Sequence, residues 1–149
     1  NKNMGLFDFL KPKPKNLPEY IEGIGEMTYF SKNNWLEYKG NIQFKDFTNK
    51  IETLFLCNES KISDYQKKYF DELNNNLKNL IVEASKKPDS RIDLMKYRVE
   101  SILITDEDYK SYDVDCEIVV TQLDNKKSKD RSIYSIIVQG MAVEAIIII

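Results

Sequence analysis

The sequence predicts an α+β domain. The expected architecture is an antiparallel sheet of about six to seven strands, ordered βββ-α-ββββ, with one long helix packed on one face. Three observations predict it. Residues 63–86 repeat apolar side chains at helical spacing. Segments on either side alternate apolar and polar residues between Gly, Asn, Asp and Ser turns. The 149 residues suit one domain, and a chain of that size buries roughly 70% of its unfolded surface without needing a disulfide or metal.

Residues 1–18 read as a tail and 19–149 as a single domain. Asn1-Lys2-Asn3 precede a natural-looking start at Met4-Gly5 and are set aside as an added leader. Leu6, Phe7, Phe9 and Leu10 make a short apolar plug, followed by the basic, extended Lys11-Pro12-Lys13-Pro14-Lys15. Contact with an anionic membrane surface is one reading of this tail. Docking on its own domain, or free motion, is the preferred one. Phe9 stands where N-myristoylation needs Ser or Thr, so that modification is not expected.

Three strands come first. Residues 24–30 form one, Ser31-Lys32-Asn33-Asn34 a turn, and Trp35–Phe44 the second. Gly40 within that second strand suggests a bulge or bend. Residues 49–57 are the third.

The helix is the clearest element. Ser63-Asp64-Tyr65-Gln66 fits a capping box, in which Ser63 accepts an early backbone N–H and Gln66 reaches back. Tyr65, Tyr69, Phe70, Leu73, Leu77, Leu80, Ile81 and Ala84 form a continuous apolar stripe. Lys86-Lys87 suits the negative helix end, and Pro88 stops it.

Ser90-Arg91-Ile92-Asp93 suggests a short second helix to about Tyr97, and Tyr97-Arg98-Val99 reads equally as the start of a strand. Residues 99–105, 112–123, 132–138 and 141–149 are the remaining strands. Ala145–Ile149 has no polar alternation, so that strand is expected inside the sheet, covered on both sides, with a subunit contact as the alternative.

Composition excludes several classes. The chain has no histidine, which removes His-based acid/base chemistry, Ser-His and Cys-His nucleophile pairs and most zinc sites. No Gly-x-Ser-x-Gly elbow or phosphate-binding glycine loop is present. Cys57 and Cys116 form no Cys-x-x-Cys motif. They read as small buried hydrophobes in a reducing, cytoplasmic setting, and their mutual distance is left open. Lys+Arg 22 against Asp+Glu 24 gives a net charge of −2, and the mean hydropathy is −0.50. The longest apolar run, Ala145–Ile149, is far short of the ~20 residues of a membrane span. Arginine occurs only at Arg91, Arg98 and Arg131. That scarcity, the net acidity and a basic loop confined to Lys126-Lys127-Ser128-Lys129 argue against nucleic-acid binding. The Lys, Asn and Ile bias suggests an AT-rich, bacterial genome.

One constellation stands out. Asp106, Glu107 and Asp108 precede Asp113, Asp115 and Glu117, which alternate with Val114, Cys116 and Ile118. On a strand this aligns three carboxylates on one face. Asp113, Asp115 and Glu117 are therefore candidate divalent-metal ligands. Asp106, Asp108, Asp113, Asp115 and Glu117 are candidate contacts for a basic partner. The bland reading is the solvated face of an amphipathic strand. An EF-hand fails, because the sixth loop position from Asp106 is Ser111 instead of Gly. Trp35 and Tyr38 are candidate interface anchors, weighed against ordinary hairpin packing. No cofactor is expected.

Residues 35–77 resemble a recurring bacterial pattern. Trp35 opens a strand, Gly40 precedes Ile42 and Phe44, a third strand follows, and then come Ile62, Gln66 and Phe70 in an Ile-x3-Gln pattern with aromatics, and Asn76 and Leu77 down the helix. The pattern is similar to small domain-of-unknown-function families, some of them taken to be immunity proteins beside polymorphic toxins. An Asp-x-x-His turn expected further along is not matched, since histidine is absent. The resemblance implies a fold and a non-enzymatic role, and carries over no functional residues.

The expected function is a non-catalytic protein-binding module, of immunity type, acting through the acidic surface. Two alternatives stand beside it: a structural domain dimerising through its C-terminal strand, and a divalent-metal-dependent enzyme using the strand carboxylates.

Overall fold

The computed structural model describes residues 17–88, 90–109, 113–123 and 131–149. Its elements are β1 (Pro18–Ile21), β2 (Gly25–Lys32), β3 (Trp35–Ile42), β4 (Ile51–Leu56), α1 (Asp64–Ser85), β5 (Tyr97–Thr105), β6 (Cys116–Leu123), β7 (Arg131–Gln139) and β8 (Ala142–Ile148). The strands form one open sheet in sequence order, β1 to β8. The fold is α+β, as expected, but the sheet is mixed: β4 and β5 run parallel and every other neighbouring pair is antiparallel. The expected antiparallel sheet of about six to seven strands is close to this: the sheet has eight strands, and the β4–β5 pair makes it mixed. α1 carries the chain back across one face, so β5 starts at the same end as β4. β1 escaped notice because Pro18-Glu19-Tyr20-Ile21 has no apolar alternation. Proline is tolerated at the start of an edge strand, where no ladder bond is lost.

Local chemistry explains the connections. Asn33 and Asn34 turn β2 into β3 with φ of +50° and +65°, the pair of left-handed residues that a type I′ hairpin requires. Gly40 makes no bulge, contrary to expectation, and keeps β3 in unbroken register with β4. A Cβ there would sit 2.7 Å from Met27 Sδ and closer still to the Glu26 carbonyl. Glycine is needed for close approach of β2. The second helix does not form, and the alternative, a strand beginning at Tyr97, does. Asp93 Oδ1 instead accepts the Met95 N–H at 2.9 Å, and Lys96 N–H closes a turn onto Asp93 O at 3.2 Å. Ser90 Oγ accepts the Ile92 N–H at 3.3 Å, so both polar side chains of the motif bond locally in turns.

The core lies between α1 and one sheet face. A row of paired residues (Tyr38, Phe55, Ile104, Cys116, Val138 and Val143) crosses six strands, and all are buried. Onto it α1 packs Tyr69, Phe70, Leu73, Leu77, Leu80, Ile81 and Ala84, all buried. Each large apolar side chain so buried contributes about 1.5–3 kcal/mol. Tyr65, counted into the stripe from sequence, stands at its margin and is 36% exposed.

Both cysteines are free and buried. Burial, reinforced by the nearby Asp106 charge, pushes the Cys57 thiol up to about 12. Burial raises Cys116 as well.

The C-terminal strand departs most from expectation. β8 is not covered on both sides; it is the sheet's edge beyond β7. Val143 is buried and Ile146 packs against the core, whereas Ile147, Ile148 and Ile149 are exposed. No helix among the described residues is long and apolar enough to cross a membrane. The expected tail lies outside the described residues apart from Leu17 and Pro18, as do Lys126, Lys127, Ser128 and Lys129 of the basic loop.

Candidate functional site

The parallel pair and the helix meet at one end of the sheet, where β4 and β5 finish and α1 begins. Gln66 organises this junction from inside. It is fully buried, and its Nε2 donates to Leu56 O at 2.9 Å and to Ile104 O at 3.4 Å, bridging β4 and β5. Its Oε1 accepts the Ser63 N–H at 3.2 Å, completing the capping box. A buried amide placed in this way has its donors and one acceptor occupied, which removes the desolvation penalty.

Asp106 follows β5 and is 7% exposed. Its Oδ1 accepts the Ser63 hydroxyl at 2.7 Å and the Glu107 N–H at 2.8 Å. Its Oδ2 accepts the Asn58 N–H at 2.9 Å. Three donors converge on one carboxylate. Asp106 thus ties the exit of β4, the helix N-cap and the end of β5 together, and its carboxylate is consumed in doing so. The chain then turns, with Tyr109 N–H donating to Asp106 O at 3.2 Å and Asp108 at φ +52°.

The remaining acids divide into two places. Asp106, Asp108, Asp113 and Asp115 line one cavity of about 170 Å³. A neighbouring cavity of about 290 Å³ shares Asp106 and Asp108 and adds Glu59, Lys61 and Glu107. Lys61 is the one basic side chain lining either cavity among the described residues. Asp115 is half-buried and its Oδ2 accepts the Gly140 N–H at 2.6 Å, holding the β7–β8 turn. Asp113 is exposed, and its backbone carbonyl accepts Gln139 Nε2 at 2.7 Å.

Glu117 does not join them. β6 begins only at Cys116, so Asp113 and Asp115 belong to the approach and Glu117 to the sheet face turned away from α1. There its Oε2 accepts the Ser135 hydroxyl at 2.5 Å. The expected row of three carboxylates on one strand face is split by where the strand starts. Among the described residues no group of three Asp, Glu or Cys side chains is arranged to hold a metal ion.

The surface acids act together electrically. Burial, and then the charges of Asp115, Glu107, Asp108 and Asp106, raise the Tyr65 hydroxyl above its usual value.

The two aromatic candidates lie in the first hairpin. Tyr38 is 5% exposed, its hydroxyl donates to Ser60 O at 3.2 Å, and its ring packs 5.1 Å from Tyr29. Burial and a hydrogen bond to Glu19 push it up to about 12. Its ring is core material and offers no surface for a partner. Trp35 is half-buried and its Nε1 donates to Glu37 Oε1 at 2.9 Å.

Sequence reading missed the anchoring roles of Gln66 and Asp106. The capping box gave Gln66 its local partner, but its bonds to Leu56 and Ile104 depend on the crossover. No local signal marks Asp106 as the acid that lies over the helix N-cap. The chain matches no protein-family model, no curated protein and no solved structure.

Proposed function

We propose that the protein is a non-catalytic protein-binding module whose acidic end receives a basic surface on a partner, in the manner of an immunity-type protein. The observation that carries this reading is the convergence of Glu107, Asp108, Asp113 and Asp115 around two adjoining cavities, with Lys61 as the single basic lining residue among the described residues. Like charges held together without matching cations raise the local potential, steer an oppositely charged partner and reward its neutralisation. Asp106 supports the surface from below by fixing the turn that presents Glu107 and Asp108.

The test separates presentation from anchoring. Glu107, Asp108 and Asp113 are exposed, so the triple variant E107K/D108K/D113K leaves the Asp106 and Asp115 bonds in place. Calorimetric titration with the product of the adjacent reading frame should show about tenfold or greater loss of affinity, with an unchanged circular dichroism spectrum. Equal affinity for the variant removes the acidic end from the interface.

A further inference from the structure

We propose that β8 is a self-pairing edge: a second copy of the chain adds its own β8 antiparallel to it, and the sheet continues through a twofold axis. The proposal does not rest on the acidic end.

The backbone supplies the first argument. The Ile149 N–H donates to Ile133 O at 2.9 Å, so Ile149 turns its backbone groups towards β7. Antiparallel ladders alternate. Ile147 and Ala145, paired with Ser135 and Ile137, therefore turn inwards too, and Ile146 and Ile148 direct N–H and C=O outwards. The start of the strand is capped, since the Val143 N–H donates to a Glu83 carboxylate oxygen at 2.6 Å. Past that cap, no strand among the described residues lies beyond β8 in the sheet.

Side chains supply the second argument. Ala145–Ile149 carries no charged side chain, and Ile147 and Ile148 are 52% and 59% exposed. Edges that must stay single are blunted by proline, charge or brevity. β1, the other edge, is blunted in all three ways, with four residues including Pro18 and Glu19. β8 has no such device after Glu144.

Symmetry then selects the occupant. A β8–β1 contact is heterologous and open-ended, whereas β8–β8 is isologous and closes. A twofold through Ile147 sets Ile146 opposite Ile148 of the second copy, so the outward groups of both exchange hydrogen bonds. Ile147 stacks on its own copy. The two Glu144 carboxylates stay about 20 Å apart along the strands, at ~3.4 Å per residue. The overlap is short, so the interface falls at the small end and the dimer forms reversibly with concentration.

Sedimentation velocity of the full chain, from micromolar to millimolar concentration, tests this. The weight-average mass should climb from 17.5 kDa towards twice that value. Ile148→Pro removes an outward N–H and leaves the β7 ladder intact. Ile147→Lys sets like charges against each other on the axis. Each should shift the association midpoint about tenfold or more. A mass fixed at 17.5 kDa overturns the proposal. A dimer that survives both substitutions overturns it too, because another surface then holds it. Should the proline variant fail to fold, wild-type amide exchange decides: slowing at Ile146 and Ile148 with concentration supports pairing, and concentration-independent exchange contradicts it.

Discussion

The Ser63 hydroxyl donates to Asp106 Oδ1 at 2.7 Å, while the same Ser63 oxygen accepts the Gln66 N–H at 3.1 Å. One side chain thus connects the cap of α1 to the end of β5. Removing Asp106 should strand the Ser63 hydroxyl and the Asn58 and Glu107 amides. Asp106→Ala is expected to cost about 3 kcal/mol in urea unfolding, and Asp106→Asn about 1–2, since its amide retains one acceptor oxygen. Glu107→Ala, on the exposed side of the same turn, should stay within about 0.5 kcal/mol.

Gln66 offers a sharper contrast. Gln66→Leu keeps the volume but leaves Leu56 O, Ile104 O and the Ser63 N–H without this partner, for an expected loss of about 2–3 kcal/mol. Gln66→Glu should be worse, because it places a buried carboxylate near Asp106 and beside two carbonyl oxygens. A variant series in which glutamate is the better tolerated residue would contradict the bonding described.

Gly40→Ala should destabilise by about 1–3 kcal/mol, because the added Cβ meets the Glu26 carbonyl and Met27 Sδ. Chemical unfolding reads this directly. Asn34→Gly, at φ +65°, should be neutral or slightly stabilising, since glycine adopts that conformation without strain.

High pH should unfold the protein through its buried acids. Cys57 and Tyr38 are both pushed up to about 12, chiefly by burial. Unfolded, they release protons from about pH 9–10 upwards, so the unfolded state binds fewer protons there than the native state. Their contribution is complete below that range and is lost as pH rises towards 12. Cys57→Ala should flatten the alkaline limb of a stability–pH curve, and an unchanged limb would exclude the Cys57 contribution.

Much of the fold was legible because its signals are local. The Ser63–Gln66 capping box, the apolar stripe from Tyr69 to Ala84 and the Asn33-Asn34 turn each need only neighbouring residues. The parallel β4–β5 pair was not legible, because it follows from where α1 returns the chain. Ala145–Ile149 misled for a related reason: an unbroken apolar run signals a strand covered on both sides, whereas here Val143 and Ile146 pack inwards and the rest borders an open edge. The acid cluster was visible as a composition run. Its division into Asp106 as anchor, Glu107, Asp108 and Asp113 as surface, and Glu117 as a separate contact with Ser135 depends on tertiary register.

The most direct measurement on the acidic end is the salt dependence of partner binding. Affinity of the wild-type chain for the adjacent gene's product should fall steeply as ionic strength rises, because exposed charges are screened over about 10 Å at 0.1 M salt. The triple lysine variant should lose that dependence together with its affinity. A wild-type affinity independent of salt, or a variant with the wild-type slope, would contradict the reading of this surface as an electrostatic docking site.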